Sequence, residues 1–275
     1  MVEVADASAP TLAEIGELQR IIRKTNMVIY SCTGGKSLGK DLFRALGERF
    51  GLRHLDNNQL ADEDGVTSLQ VVPGKSTRGY IPYSNQRLLW HSDGYYNTPA
   101  HTIRAFALHC VSPAAEGGSN ELLDHEIVYT LLRDANPDYV RALLAPDVMT
   151  IPANTESGSA TRAAQSGPVF SVDPATGSLH MRYTARTRSI EWKQDAPTGQ
   201  AVAFLQDLLA ADSPYRYTHR LAAGQGLLCN NVLHNRTGFR DDVDKGMRRL
   251  IYRARYFDRI AHTHLNEIFD LRIDS

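Results

Sequence analysis

A histidine and an aspartate stand two residues apart in WHSDGYYN (90–97), as His91 and Asp93. In an extended strand, side chains two apart share a face, so this imidazole and carboxylate can reach one ion. By itself such a pair occurs by chance in many chains, and a plain strand end is the bland reading. Support comes from GQGLLCNNVLHNRTGF (224–239), which reads as a turn, a buried strand and then His234 at its exit. Two histidines and one carboxylate take one face of an octahedron and leave the other positions open, which suits non-haem Fe(II) oxygen chemistry.

Beyond His234, RRLIYRARYFD (248–258) reads as a strand with Arg249, Ile251, Arg253 and Arg255 on one face. Guanidinium groups among apolar neighbours are costly unless an anion pairs with them. A carboxylate does so through two parallel hydrogen bonds, and a dicarboxylate such as 2-oxoglutarate carries the right group. The alternative is an exposed basic sheet face. Tyr95, Tyr96 and Asn97 follow the ligand pair and are candidates to line a substrate pocket, against simple strand-end packing. In HMRYTARTRSIEW the period-two reading puts His180, Arg182, Thr184, Arg186 and Arg188 on one face. Arg186 or Arg188 could bind an anionic substrate group; a solvated polar face is the competing explanation. Asn230 and Asn231 are placed to orient a ligand as supporting groups. One motif misleads. TGGKS (33–37) after the strand MVIYSC resembles a phosphate loop, but the spacing GxxxxGK[ST] requires glycine at position 30, where Tyr30 stands.

The elements that must position these residues are readable in outline. Residues 11–24 space Leu12, Ile15, Leu18, Ile21 and Ile22 as one helical face, MVIYSC (27–32) is a short buried strand, and 40–51 is a second amphipathic helix. The stretch 52–85 is polar and irregular, with a short strand expected at 68–73. From about residue 88 strand-like segments dominate, including 101–111, 166–173, 178–190 and 248–258, with helices expected at 124–135 and 198–210. DPATGS (173–178) is a turn between two strands. The segment 149–168 is the most loop-like internal stretch and a candidate lid.

Composition narrows the partners. The chain has 275 residues, 42% of them hydrophobic, and a formal charge of −1, so a sizeable core is affordable and no basic stripe points to nucleic acid or a membrane surface. Cys32, Cys110 and Cys229 are far apart and odd in number, which argues against a disulfide framework or a structural zinc. No run is long and apolar enough to span a membrane, and MVEVADASAP does not read as a signal peptide, so a cytoplasmic setting is expected.

Taken together, HxD, a long insert, a distal histidine and an arginine-bearing strand resemble the taurine/dichlorophenoxyacetate dioxygenase family of Fe(II)/2-oxoglutarate oxygenases. The similarity covers most of the chain: MVIYSCTGG…KDLFRALGERFG, PAAEGGSNELLD (113–124) and GPVFSVDPATGSLHMRY (167–183) each resemble family segments. The resemblance implies a mainly β fold with flanking helices around a double-stranded β-helix (jelly roll, cupin-like) core, as a single domain over 1–275 with an N-terminal strand/helix part at 1–60. It implies His91, Asp93 and His234 as catalytic metal ligands, Arg253 on the distal carboxylate of 2-oxoglutarate, and Arg249 near substrate or cosubstrate. Asn120 in GGSN takes the place of a common threonine that also binds that carboxylate. The implied cosubstrates are 2-oxoglutarate and O₂, the implied partner is a small, anionic or amino-acid-like metabolite, and the implied assembly is a homo-oligomer, as in many relatives. Hydroxylation with release of succinate and CO₂ is the expected reaction. Desaturation, cyclisation or C–N oxidation with the same cofactors is an alternative, and a non-catalytic jelly-roll binding protein is the alternative of another class. Asp93 argues against a halogenase, whose relatives lack the carboxylate.

Overall fold

The structure, a computed structural model, describes residues 1–33, 38–56, 65–71, 81–154, 162–187 and 190–264. Two sheets carry the site. The larger has six strands in the order Val2–Val4, Met27–Cys32, Gln225–Cys229, Ala105–Ser112, Leu250–Tyr256 and Thr67–Leu69. The smaller has four, in the order Tyr217–His219, Asn120–Leu123, Leu233–Arg236 and Leu88–His91.

Strand alternation decides what each face of the larger sheet meets. Phe106, Leu108 and Cys110 point to one side, with Ile251 opposite Cys110 and Arg253 opposite Leu108. These apolar side chains form one buried cluster with Leu122 and Val232, next to the smaller sheet. Ala105, Ala107 and Ala254 point to the other side and join Leu18, Ile22, Phe43 and Leu46 in a second cluster. Those four belong to helices α1 (Leu12–Thr25) and α2 (Lys40–Glu48). Alanine at the sheet positions lets the helices approach closely.

Helix α1 begins with a capping box, in which Glu14 N–H donates to the Thr11 hydroxyl at 3.2 Å and Thr11 N–H donates to the Glu14 carboxylate at 2.7 Å. It stops at Asn26, which takes the left-handed conformation at φ 55°. A third cluster gathers Val128, Leu132, Val140, Leu143 and Leu205 around Met149, Phe170 and Met181. These belong to helices α3 (His125–Ala135), α4 (Pro137–Leu143) and α5 (Ala196–Ala210). Mainly β with flanking helices is therefore the observed class.

Several boundaries differ from the sequence expectation. Helix α4 was not foreseen, although Asn136 caps it by accepting from Asp138 N–H at 2.9 Å and Pro137 opens it. The strand expected over 178–190 runs only through Leu179–Met181, paired with Phe170–Val172 across the DPATGS turn. Beyond it the backbone changes partner to the segment carrying His91, with Ser92 N–H donating to the Tyr183 carbonyl at 3.0 Å and Ala185 N–H to that of Trp90 at 2.8 Å, while the Arg182 guanidinium bonds the carbonyls of Tyr95, Met149, Gly167 and Gln165. The expected strand 68–73 is seen as Thr67–Leu69, and its remainder reaches residues outside the described ones. The segment 149–168 is not a bare loop: Met149–Ile151 pairs antiparallel with both Gln165–Gly167 and Glu191–Trp192. Its centre, 155–161, lies outside the described residues.

Candidate metal centre

His91 closes the strand Leu88–His91, and His234 sits directly across from it on Leu233–Arg236. Their rings are 4.1 Å apart between centroids. His234 does not close the strand before it, as the sequence suggested. The chain leaves the larger sheet at Cys229, turns through Asn231 at φ 51°, and His234 is the second residue of a strand in the smaller sheet. Asp93 lies just past its strand, in a turn, yet its carboxylate still reaches His91 Nε2 at 3.7 Å. One ligand atom from each of His91, Asp93 and His234 lies within 4.8 Å of the others.

The ring nitrogens are sorted by hydrogen bonds. His91 Nδ1 lies 2.9 Å from the Leu89 carbonyl, and His234 Nδ1 lies 3.0 Å from that of Val232. A carbonyl only accepts, so both Nδ1 atoms carry hydrogen and both Nε2 lone pairs remain for an ion. Burial, with help from the nearby His234, lowers His91 to about 3, and burial lowers His234 as well. Burial alone would raise the Asp93 carboxyl, but Arg253, Arg255 and both histidines outweigh it and hold it below the usual carboxylate range. The set is thus two neutral imidazoles and one carboxylate. Asp93 Oδ2 is buried with no hydrogen-bond partner, an arrangement that is costly unless a cation faces it.

Asn231 braces the turn that presents Asp93. Its side-chain oxygen accepts from Asp93 N–H at 2.8 Å, and its amide donates to the carbonyls of Asp93 at 2.9 Å and Ile103 at 2.7 Å. Asn230 faces away, donating to Asn26 and Thr263. The two adjacent asparagines, grouped together in sequence, therefore do different work.

The arginines also separate. Arg253 Nη1 is 3.5 Å from Asp93, at the centre itself. Arg255 is buried, paired with Asp56 and donating to the Tyr96 hydroxyl at 3.0 Å. Arg249 precedes the strand, beyond a register shift between Leu250 and Ile251. It lines a cavity with Asn120, Gly118 and Arg220. Its Nη1 is buried without a hydrogen-bond partner, its guanidinium lies 5.0 Å from the Phe239 ring centroid, and burial pulls it down to about 10. Arg236 lies 4.9 Å from the same ring and is occupied with the carbonyls of Pro82, Ser84 and Gln86. Asp56, Arg236 and Phe239 escaped the sequence reading, because their partners come from distant segments.

Tyr95 lies beside Thr184 and Arg186, burial pushes its phenol up against their opposing pull, and Thr184 is bridged to His91. Asn97 donates its amide to the His101 carbonyl at 2.8 Å, closing the turn after the ligand pair. Arg188 lies outside the described residues.

Residues 34–255 match the model of the taurine catabolism dioxygenase TauD, TfdA family. The chain belongs to this family. Among curated relatives, a uridine-5'-phosphate dioxygenase from Amycolatopsis sp is 35% identical over 178 residues, 61% of this chain. A second protein of that name, from Streptomyces sp, is 31% identical over 193 residues, 67% of this chain. The matched stretch spans 60% of the first relative and 67% of the second. Among solved structures, an asparagine oxygenase in complex with Fe(II), 2S,3S-3-hydroxyasparagine and succinate superposes with TM-score 0.63 at 17% identity, covering 89% of this chain and 78% of that one. Iron and 2-oxoglutarate are the cofactor and cosubstrate of TauD-type oxygenases, and the buried His–Asp–His donors fit the iron. No helix among the described residues is long and apolar enough to cross a membrane.

Proposed function

We propose that this chain is an Fe(II)- and 2-oxoglutarate-dependent dioxygenase acting on a small phosphorylated, nucleotide-like metabolite. The convergence of His91, Asp93 and His234, with one orphaned carboxylate oxygen, carries the iron part of the reading. The activity for which the two relatives are named, on uridine-5'-phosphate, and the surplus of arginines around the centre support an anionic substrate. When bound, iron and 2-oxoglutarate supply the oxidising chemistry, in which O₂ is consumed, succinate and CO₂ are released and the substrate is oxidised, most simply by hydroxylation.

The protein's share is to hold and orient. His91, Asp93 and His234 hold the metal. Arg253 keeps Asp93 ionised and aimed. Sequence similarity alone gave Arg253 the far carboxylate of 2-oxoglutarate, but the geometry favours Arg249. A five-carbon diacid chelated at one end places its other end away from the metal. Arg253 is already against Asp93, whereas Arg249 lies four residues up the strand direction, roughly 13 Å at extended spacing. Arg249 and Asn120 share a cavity, and Arg249 has a buried donor left over. Arg249 thus grips the far carboxylate with Asn120 as a second donor. Phe239, beside the guanidinium, keeps it desolvated and oriented.

The two sheets, sharing one apolar cluster between them, read as the double-stranded β-helix of the family. Strands from Val2 to Tyr256 join in a single sheet, which supports one domain. Succinate release with Fe(II), 2-oxoglutarate and a panel of nucleoside monophosphates and amino acids tests the function. Stimulation by a phosphorylated nucleoside is expected. Stimulation by amino acids alone would refute the substrate class, and no succinate under any condition would refute the dioxygenase.

A further inference from the structure

Consecutive tyrosines follow the metal-ligand pair, and each is tied to an arginine outside the metal set. Tyr95 lies beside Arg186, whose charge favours the ionised phenol, and Arg186 N–H donates at 3.3 Å to the hydroxyl of Thr184, the residue bridged to His91. Tyr96 accepts from Arg255 at 3.0 Å, and the Arg162 guanidinium lies 5.9 Å from its ring centroid. The two rings meet edge to face at 5.2 Å, a favoured aromatic contact. Arg162 and Arg186, roughly 80 Å of extended chain apart by sequence, are brought to neighbouring rings two and three residues from Asp93 in sequence.

The charges around the centre then fall into two groups. Arg253 faces Asp93, Arg255 is paired with Asp56, and Arg182 is fully engaged with backbone carbonyls. Arg249 is set apart for the cosubstrate. Among the described residues, Arg162 donates to the Pro152 and Ala163 carbonyls, Arg186 lies beside the Tyr95 phenol, and neither is paired with a carboxylate. Both are half-buried rather than free in solvent. Two half-buried guanidinium groups with no carboxylate partner among the described residues favour an anionic ligand. A phosphate monoester, with a charge of about −1.5 to −2 and three acceptor oxygens, matches two forked donors better than a single carboxylate does.

We propose that Arg162 and Arg186, seated on Tyr96 and Tyr95, form a phosphate clamp at the rim of the metal centre. The clamp rests on the nucleotide-like reading above and deepens it by naming the residues that select the phosphate. Selection follows from the build: the phosphate is held at the rim while the remainder of the substrate extends towards the metal.

The experiment is calorimetric titration, without O₂, of the enzyme loaded with Fe(II) and 2-oxoglutarate. The probes are uridine 5'-monophosphate, uridine and inorganic phosphate, and the proteins are wild type, Arg162→Gln, Arg186→Gln, the double variant and Arg186→Lys. Each Gln variant should bind the monophosphate about tenfold or more weakly, as loss of a charge-assisted hydrogen bond requires. Uridine binding should stay as in wild type, Arg186→Lys should recover part of the loss, and 2-oxoglutarate affinity should not change. A double variant that keeps the wild-type preference for monophosphate over uridine overturns the clamp. If wild type binds neither nucleoside probe, the nucleotide reading fails by itself, and inorganic phosphate decides the clamp. Phosphate bound by wild type and lost in the double variant sustains it; no phosphate binding by wild type overturns it. Melting curves of the variants separate a lost contact from a lost fold.

Discussion

His91 and His234 each donate Nδ1–H to the carbonyl two residues before it, at 2.9 and 3.0 Å. This local bond fixes both tautomers without help from a distant residue, and it is available because each ring lies on a strand turned towards the other. Asp93 has no such local support and depends on Asn231 and Arg253. Asp93→Ala should abolish iron-dependent succinate formation. Arg249→Ala should weaken 2-oxoglutarate binding about a hundredfold, because a charged donor pair is removed from a buried site. Arg253→Ala should chiefly weaken iron retention, read as metal content after dialysis. The opposite outcome, with cosubstrate binding lost in Arg253→Ala and unchanged in Arg249→Ala, would return the far carboxylate to Arg253. The types and order of the three residues that the structure gathers were legible in sequence, since metal chemistry accepts few residue types. The division of labour among the arginines was not. It depends on the register shift at Leu250/Ile251, which period-two counting passes over.

At the scale of elements, the decisive feature is the corner at Asn231, where the chain passes from the larger sheet to the smaller. Its left-handed backbone sends His234 across from His91, and its side chain ties down Asp93 and Ile103. One residue therefore couples all of the ligand-bearing segments. Asn231→Ala should lower iron affinity about tenfold or more, as loss of a supporting contact to a ligand does. Asn231→Gly should keep the corner and restore stability but not affinity, as measured by melting and metal titration. Phe239→Leu should raise the 2-oxoglutarate requirement several-fold with little change in the rate at saturation. Helices α1, α3 and α5 and the strand Met27–Cys32 were legible because their periodicity extends over whole segments. The end of the strand after Met181 was not, because there the backbone changes partner, from Phe170–Val172 to Trp90 and Ser92, which lie far off in sequence.

At the scale of the whole molecule, buried histidines away from the metal set the response to acid. Burial lowers His109 to about 4, His125 to about 4 and His180 to about 3. A histidine lowered in the folded state binds its proton more readily once unfolded, so stability is lost as pH falls from the ordinary value of about 6.5 towards those lowered values. Asp124, raised to about 6 by burial, works the other way over part of that range, one group against three. The melting temperature should therefore drop steadily below about pH 6.5; a flat profile down to pH about 4 would contradict the burial of these rings as charged-form penalties. His109 and His125 are fully buried, His109 on the larger sheet against Tyr30 and Phe43 and His125 at the start of helix α3, whereas His180 is half-buried. Burial also shields the metal centre.

The most direct test of the central claim is an anaerobic titration of the purified protein with Fe(II) and 2-oxoglutarate, followed by visible absorption. One iron per chain should bring up the weak charge-transfer band of a chelated 2-oxo acid, and Asp93→Ala should not produce it. Wild-type protein that retains one iron yet shows no band on adding 2-oxoglutarate would contradict the account.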